Sequence, residues 1–195
     1  MSRCPSERRV LTLPYTICFC QRGALILMLH RRYPPFAGLW NGLGGRIEPG
    51  EAPLASVQRE VLEEAAIDLA ASRIRFGGIV TWVSHDVPPS FSSGGMYAFL
   101  AAFPPAWPIW EDTRPGPEGE LRWWPLMWVC DATNDRVVAN VPHFLPALLD
   151  GSAPHEYRCS YQDGRLVSVE IRPLPQGWQG GYEDQPALEE CNNER

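Results

Sequence analysis

Short apolar runs separated by turn-forming residues dominate the first third of the chain. Val10 to Cys20 and Ala24 to His30 are two such runs, broken by Gln21-Arg22-Gly23, and the spacing predicts a β-hairpin. Arg31 to Trp40 contains Pro34-Pro35 and Gly38 and reads as a loop. Asn41 to Gly50 holds four glycines, so its backbone is free to take unusual dihedrals or to approach a ligand closely. Pro53 to Asp68 carries a helical period. Leu54, Val57, Val61 and Ala65 fall within about 80° of one another at 100° per residue, a single buried stripe.

Beyond the helix, strand-like runs are expected at Ile74–Val83, Met96–Phe103 and Leu121–Val129, separated by the Pro- and Gly-rich loops Ser84–Gly95 and Pro104–Gly119. Val141–Leu149 predicts a second helix that stops at Asp150-Gly151. Glu156–Tyr161 and Arg165–Ile171 flank Gln162-Asp163-Gly164, the pattern of a terminal hairpin. The expected division is an N-terminal extension over 1–9, one domain over 10–172 and an acidic tail over 173–195. No internal repeat is visible.

Composition changes this picture little. The chain has 195 residues, enough for one domain with a buried core, and 20 prolines, which favour loops and fixed turns over long helices. The formal net charge is −6, and Tyr182 to Arg195 alone carries five acids and one base, so broad electrostatic capture of a nucleic-acid polymer is not expected. Six cysteines include Cys18-x-Cys20 but no Cys-x-x-Cys and no histidine-rich stretch for zinc. Cys18 and Cys20 read as small core residues. The longest apolar run, Ala24 to Leu29, is six residues, far below the ~20 that span a bilayer. Met1–Arg9 does not read as a signal peptide. A reduced, cytoplasmic protein is the expectation.

Chemistry concentrates in Gly44-Gly45-Arg46-Ile47-Glu48-Pro49-Gly50-Glu51 and in the helix that follows, with Arg59-Glu60-Val61-Leu62-Glu63-Glu64. Glu60, Glu63 and Glu64 stand at i, i+3 and i+4 and share about 100° of helix surface. Like charges so close repel, the more so beside a buried stripe. A cation relieves them, and hard oxygens in a group of three suit Mg²⁺ or Mn²⁺ better than zinc. A solvated acidic face is the alternative on spacing alone.

Gly45, Glu51, Arg59, Glu60, Glu63 and Glu64 together spell Gly-x5-Glu-x7-Arg-Glu-x-x-Glu-Glu. This resembles the Nudix box, the signature of the MutT-like Nudix hydrolases. Ala66 departs from the pattern, since the family usually has glycine there, and the departure bears on the helix exit. The resemblance implies an α/β fold, the Nudix α/β/α sandwich with a mixed β-sheet between helices. It implies cleavage of a nucleoside diphosphate linked to a further moiety, with divalent ions and a metal-activated water. It places Glu60, Glu63, Glu64 and the carbonyl of Gly44 on metal. Arg59 and Glu51 look like the pair that braces the loop against the helix. Which glutamate acts as base cannot be read from spacing.

Trp40-Asn41-Gly42-Leu43-Gly44-Gly45 is similar to the Trp-Asn-Gly-x-Gly-Gly stretch of the oxidised-purine nucleotide pyrophosphatases of the family, whose asparagine bonds the purine edge. A carboxamide offers both donor and acceptor to a keto-amide edge such as that of guanine or 8-oxoguanine. A plain turn-forming role is the alternative for Asn41. Glu118, with Glu120 second, matches the region where MutT-like enzymes place a further metal-ligating acid. Asn140 matches a second base-reading position or serves as a helix N-cap. Arg31, Arg32 and Arg46 flank the glycine loop and can meet phosphate oxygens, Arg46 with Gly45 being favoured by the box. Trp40, Trp82 and Trp123 are candidates to stack on a base.

The expected activity is therefore a metal-dependent nucleoside triphosphate pyrophosphohydrolase that releases the monophosphate and pyrophosphate, with 8-oxo-dGTP or a related oxidised purine nucleotide favoured. Alternatives are a Nudix hydrolase of ADP-ribose, a dinucleoside polyphosphate or capped RNA, or a non-catalytic nucleotide sensor. The partner expected is the nucleotide substrate, with no nucleic-acid polymer and no membrane. A homodimer stays open.

Overall fold

The computed structural model describes residues 13–84 and 93–174. The strands are β1 (Tyr15–Arg22), β2 (Leu25–Arg31), β3 (Trp40–Asn41), β4 (Arg73–Ser84), β5 (Ser93–Ala102), β6 (Arg114–Pro115), β7 (Gly119–Pro125), β8 (His155–Gln162) and β9 (Arg165–Pro173). The helices are α1 (Pro53–Ala65), the single turn α2 (Leu126–Val129) and α3 (Val141–Asp150). Among the described residues no helix is long and apolar enough to cross a membrane. The expected N-terminal extension, the start of the first apolar run and nearly all of the acidic tail lie outside the described residues.

One mixed sheet runs in the order β6-β7-β2-β1-β5-β4-β8-β9, with β3 pairing to β2. The β1–β5 and β4–β8 pairs are parallel and the others antiparallel. Alternation along the strands sends side chains to two cores. One, holding Cys18, Cys20, Leu27, Tyr97 and Phe99, packs against Val57 and Val61 of α1. The other, holding Ile17, Phe19, Met28, Val80 and Tyr157, packs against Phe144, Leu145 and Leu148 of α3. A mixed sheet lies between helices in the α/β/α sandwich that the sequence predicts.

Several boundaries differ from the sequence pattern: β5 begins at Ser93, inside the loop expected over Ser84–Gly95, and the short β6 lies inside the one expected over Pro104–Gly119. The run Leu121–Val129 is not one strand, because Pro125 ends β7 and the next four residues wind into α2. The first helix stops at Ala65 rather than Asp68, and its cap, Ala66, takes φ 53° and ψ 34°. A left-handed alanine costs about 1–2 kcal/mol that glycine would not. The Ala66 N–H still bonds the Leu62 carbonyl, so the exit keeps its geometry without the glycine.

The decisive local feature is where β1 and β2 part. They pair only from Cys20 to Arg22. Below that, β3 takes up the edge of β2, and the glycine segment runs antiparallel to β1 through the pairs Cys18–Leu43 and Tyr15–Arg46. The Thr16 N–H donates to the Gly45 carbonyl at 2.9 Å and the Cys18 N–H to that of Leu43 at 2.6 Å. The glycine loop is thereby fixed in the sheet and faces α1.

Candidate active site

Glu60, Glu63 and Glu64 share one side of α1 but stand in three environments. Glu63 projects outward, its side chain 60% exposed. Glu60 is partly buried against the bare Cα of Gly45, where an added Cβ would lie 2.5 Å from the carboxylate carbon and both oxygens. Glu64 is only 4% exposed. Its Oε2 accepts the Gly44 N–H at 2.8 Å, whereas Oε1 is buried without a partner. Burial pushes the Glu64 carboxyl up to about 8; the charges of Glu118 and Glu60 add to the rise, and the Gly44 N–H and Arg31 oppose it. Glu60 is also raised, chiefly by burial, against the pull of Arg59.

Arg59 is the cation of this cluster. Its Nε and Nη2 fork onto the two oxygens of Glu51 at 2.9 Å each. Nη1 donates to Glu60 at 2.8 Å and to Glu63 at 3.3 Å, and Nη2 reaches the Arg46 carbonyl at 3.1 Å. The fork holds the Glu51 carboxyl below the usual range, and Glu51 in turn accepts the Glu48 N–H at 3.0 Å. One guanidinium thus ties helix, loop and three acids together. Ser56, which the sequence did not single out, sits fully buried beneath it with Oγ 3.4 Å from Nη2 and 3.5 Å from the Thr16 hydroxyl.

Glu118 arrives from the loop between β6 and β7, at one edge of the sheet. Gly116 lies against the Glu64 carbonyl, where a Cβ would come to 2.9 Å. The loop is closed by the Gly116 N–H to the Gly119 carbonyl at 2.7 Å, and the Arg32 N–H holds the Glu118 carbonyl at 2.9 Å. Arg31 stands 3.7 Å from the Glu118 carboxylate. Glu120 turns instead toward His30, at 3.8 Å, and is not part of the cluster.

Among the described residues no three acid, cysteine or histidine side chains stand gathered tightly enough to hold a metal ion as they are. Arg59 already engages Glu60 and Glu63. The donor set still fits a hard dication, being all oxygen and including one buried carboxylate oxygen without a partner. Arg46 is exposed at the rim of a cavity of about 680 Å³ that Glu51, Arg59, Glu60 and Tyr97 also line.

The two asparagines lie on neighbouring segments, Asn140 on the α3 side and Asn41 on the side of its register partner Leu29, which packs in the α1 core. Asn41 pairs with Leu29 in β3, so it is a strand residue and not a turn. Asn140 occupies the position before α3, but its side chain makes no capping bond. Both Oδ1 atoms are buried without partners. The Cys159 thiol on β8, beside the Asn140 side chain, donates to the Tyr157 carbonyl at 3.8 Å, and burial pushes it up to about 11, so it is protonated at neutral pH. The Val138 N–H donates to the Trp40 carbonyl at 3.0 Å, which sets the two asparagine-bearing segments side by side.

Of the tryptophan candidates, Trp40 is 4% exposed and lies between His30 and Trp124, and Trp123 is 5% exposed in the other core. Both are packing residues. Trp82 alone of the three is half-buried.

Comparison with known proteins agrees with this geometry. A NUDIX domain model matches residues 13–148. An NAD-capped RNA hydrolase NudC of Haemophilus influenzae (strain PittGG) is 31% identical over 104 residues, 52% of this chain and 36% of that protein. The chain thus matches only about a third of that relative's length. A MutT protein of Bacillus halodurans superposes with a TM-score of 0.63 at 25% identity, over 83% of this chain and 98% of that one. A bifunctional NMN adenylyltransferase/ADP ribose pyrophosphatase of Francisella tularensis, complexed with AMP and Mn, has the same fold at a TM-score of 0.52 and 20% identity, over 74% of this chain and 43% of that one. Glycine loop, acid helix and sandwich agree, and the protein belongs to the Nudix hydrolase family, whose members act on nucleotides with divalent cations.

Proposed function

We propose that this Nudix hydrolase is a nucleoside triphosphate pyrophosphohydrolase that releases a monophosphate and pyrophosphate, with 8-oxo-dGTP or a related oxidised purine deoxynucleotide as preferred substrate. The observation that carries the reading is the pair of buried, unpartnered acceptors, Asn41 Oδ1 and Asn140 Oδ1, on neighbouring backbone segments. Buried acceptors without donors cost about 1–3 kcal/mol each until a ligand supplies N–H groups. Adjacent N–H groups are what the N1–H, N2–H₂ edge of guanine and 8-oxoguanine presents.

In this reading Glu60, Glu63, Glu64, the Gly44 carbonyl and Glu118 would hold Mg²⁺ or Mn²⁺. When bound, such an ion supplies Lewis acidity toward phosphate and lowers the pKa of a coordinated water. Gly45, with no side chain, lets phosphate approach the loop, and the Arg46 guanidinium meets its oxygens. Arg59 and Glu51 hold the loop at a fixed distance from α1, and Glu64 keeps Gly44 oriented through its N–H.

The relation to the NudC proteins favours a second reading, in which the substrate is a dinucleotide such as an NAD-type pyrophosphate. Side-by-side kcat/KM values for 8-oxo-dGTP, dGTP, dATP, CTP, ADP-ribose, NAD and NAD-capped RNA, with Mg²⁺ and with Mn²⁺, separate the two. The first reading expects the highest value for 8-oxo-dGTP with pyrophosphate as product. A higher value for NAD, NAD-capped RNA or ADP-ribose overturns it. No turnover of any of them would leave a nucleotide-sensing module.

A further inference from the structure

The face of the sheet that carries Asn140 continues across β8, β4 and β5. Trp82 on β4 is the register partner of Cys159 on β8 and of Gly94 on β5, so the three point to one face. That face is the α3 side, because Cys159 is buried in the core that α3 covers. Gly94 has no side chain for a reason. A Cβ there would lie 2.6, 2.7 and 3.0 Å from Cζ2, Cε2 and Nε1 of Trp82, so the indole lies flat across the backbone of β5. Past Gly94 it reaches Tyr15 on β1, with ring centroids 6.4 Å apart and planes inclined by 33°.

On the other side of Trp82, Cys159 lies beside the Asn140 side chain, whose Oδ1 is buried without a partner. An aromatic surface and an unpartnered acceptor therefore flank one fully buried thiol. A nucleobase needs both, a π-face to lie on and an acceptor for its N–H edge.

We propose that Trp82, laid flat by Gly94, is the stacking wall for the nucleobase, and that Cys159 is a positioning residue that fixes the Asn140 carboxamide with its oxygen toward the base. This rests on the reading of the protein as a purine nucleotide hydrolase and adds the residues that select the base. Trp40 and Trp123 cannot share the task, since packing covers them. Stacking on an aromatic ring is worth about 1–3 kcal/mol per base, or roughly 5–150-fold in affinity.

Four variants test this: Trp82→Ala, Trp82→Phe, Gly94→Val and Cys159→Ala. Trp82→Ala raises KM for 8-oxo-dGTP and dGTP at least about tenfold with a smaller change in kcat, and Trp82→Phe restores most of the loss. Gly94→Val, which lifts the indole, reproduces Trp82→Ala. Cys159→Ala lowers the ratio of kcat/KM for dGTP over dATP about fivefold, because the carboxamide is then free to turn. Metal-free titration with dGMP, followed by tryptophan fluorescence, gives a readout apart from turnover: quenching falls sharply in Trp82→Phe. Unchanged KM, an unchanged base ratio and unchanged quenching would overturn the inference even where the wild type hydrolyses triphosphates. A wild type that hydrolyses no triphosphate overturns the functional reading instead, and the dGMP quenching then decides the stacking wall alone.

Discussion

The two faces of the sheet solve the problem of buried polarity in opposite ways. On the α1 face, acids crowd together and are held by a counter-charge, with Arg59 spread over Glu51, Glu60 and Glu63 and Arg31 standing by Glu118. On the α3 face, Asn140 and Cys159 are neutral, and the Asn140 acceptor is left without a donor. A charged cluster is held by long-range forces and tolerates rearrangement. A neutral site depends on hydrogen-bond geometry and tolerates little. Glu64 stands between the two regimes, a buried carboxylate with one N–H donor and no cation bonded to it.

The sharpest way to break the contrast is to remove that charge. Glu64→Gln is expected to lower kcat about a thousandfold in the presence of Mg²⁺ while the far-UV spectrum is retained. In metal-free protein the same change is stabilising at high pH. The carboxyl titrates near 8 in the folded state against 4.5 unfolded, so the native state binds the extra proton and wild-type stability falls as pH rises from about 4.5 through 8. Chemical denaturation should show Glu64→Gln ahead of wild type by about 2–4 kcal/mol at pH 8.5 and level with it near pH 4.5. A difference independent of pH would mean that Glu64 is charged and compensated in the fold.

Arg59→Ala comes next. It leaves Glu51 and Glu60 without their partner and is expected to cost about 2–3 kcal/mol of stability and about a hundredfold in kcat/KM. Arg59→Lys should recover part of the charge but not the fork, and a full recovery of activity would show that position-independent neutralisation is enough. Asn41→Ala is expected to raise KM about tenfold for purine nucleotides and less for pyrimidine ones. Equal effects across bases would leave Asn41 a purely structural strand residue.

The smallest effect belongs to the helix exit. Ala66→Gly relieves a left-handed alanine and should stabilise the fold by about 1 kcal/mol without altering kinetics. An unchanged melting temperature would indicate that neighbouring contacts absorb the strain.

The charged face was largely legible in the amino-acid sequence and the neutral face was not. Arg59, Glu60, Glu63 and Glu64 are brought together by helical period alone, and Glu51 stands at a fixed offset on the adjoining loop. Yet spacing treats the three helix acids alike, and only packing separates a buried Glu64 from an exposed Glu63. Asn41 and Asn140 were visible as motif positions, but their partners were not. Cys159 meets Trp82 through a parallel strand pairing with no local sequence signature, and Gly94 gives no sign of the indole it carries. Pro125 did signal the break that ends β7, inside a run whose apolar pattern reads as continuous strand.

The terminal β8–β9 hairpin lies after the stretch that matches the family model, which ends at residue 148, and yet it supplies Cys159 against Asn140. The acid helix and the thiol proposed to orient Asn140 therefore reside on separable lengths of polypeptide, while Trp82 and Gly94 lie within the matched stretch. Exchange of one β-hairpin between relatives is a route by which such an enzyme can acquire a new preference while its acid helix is inherited intact.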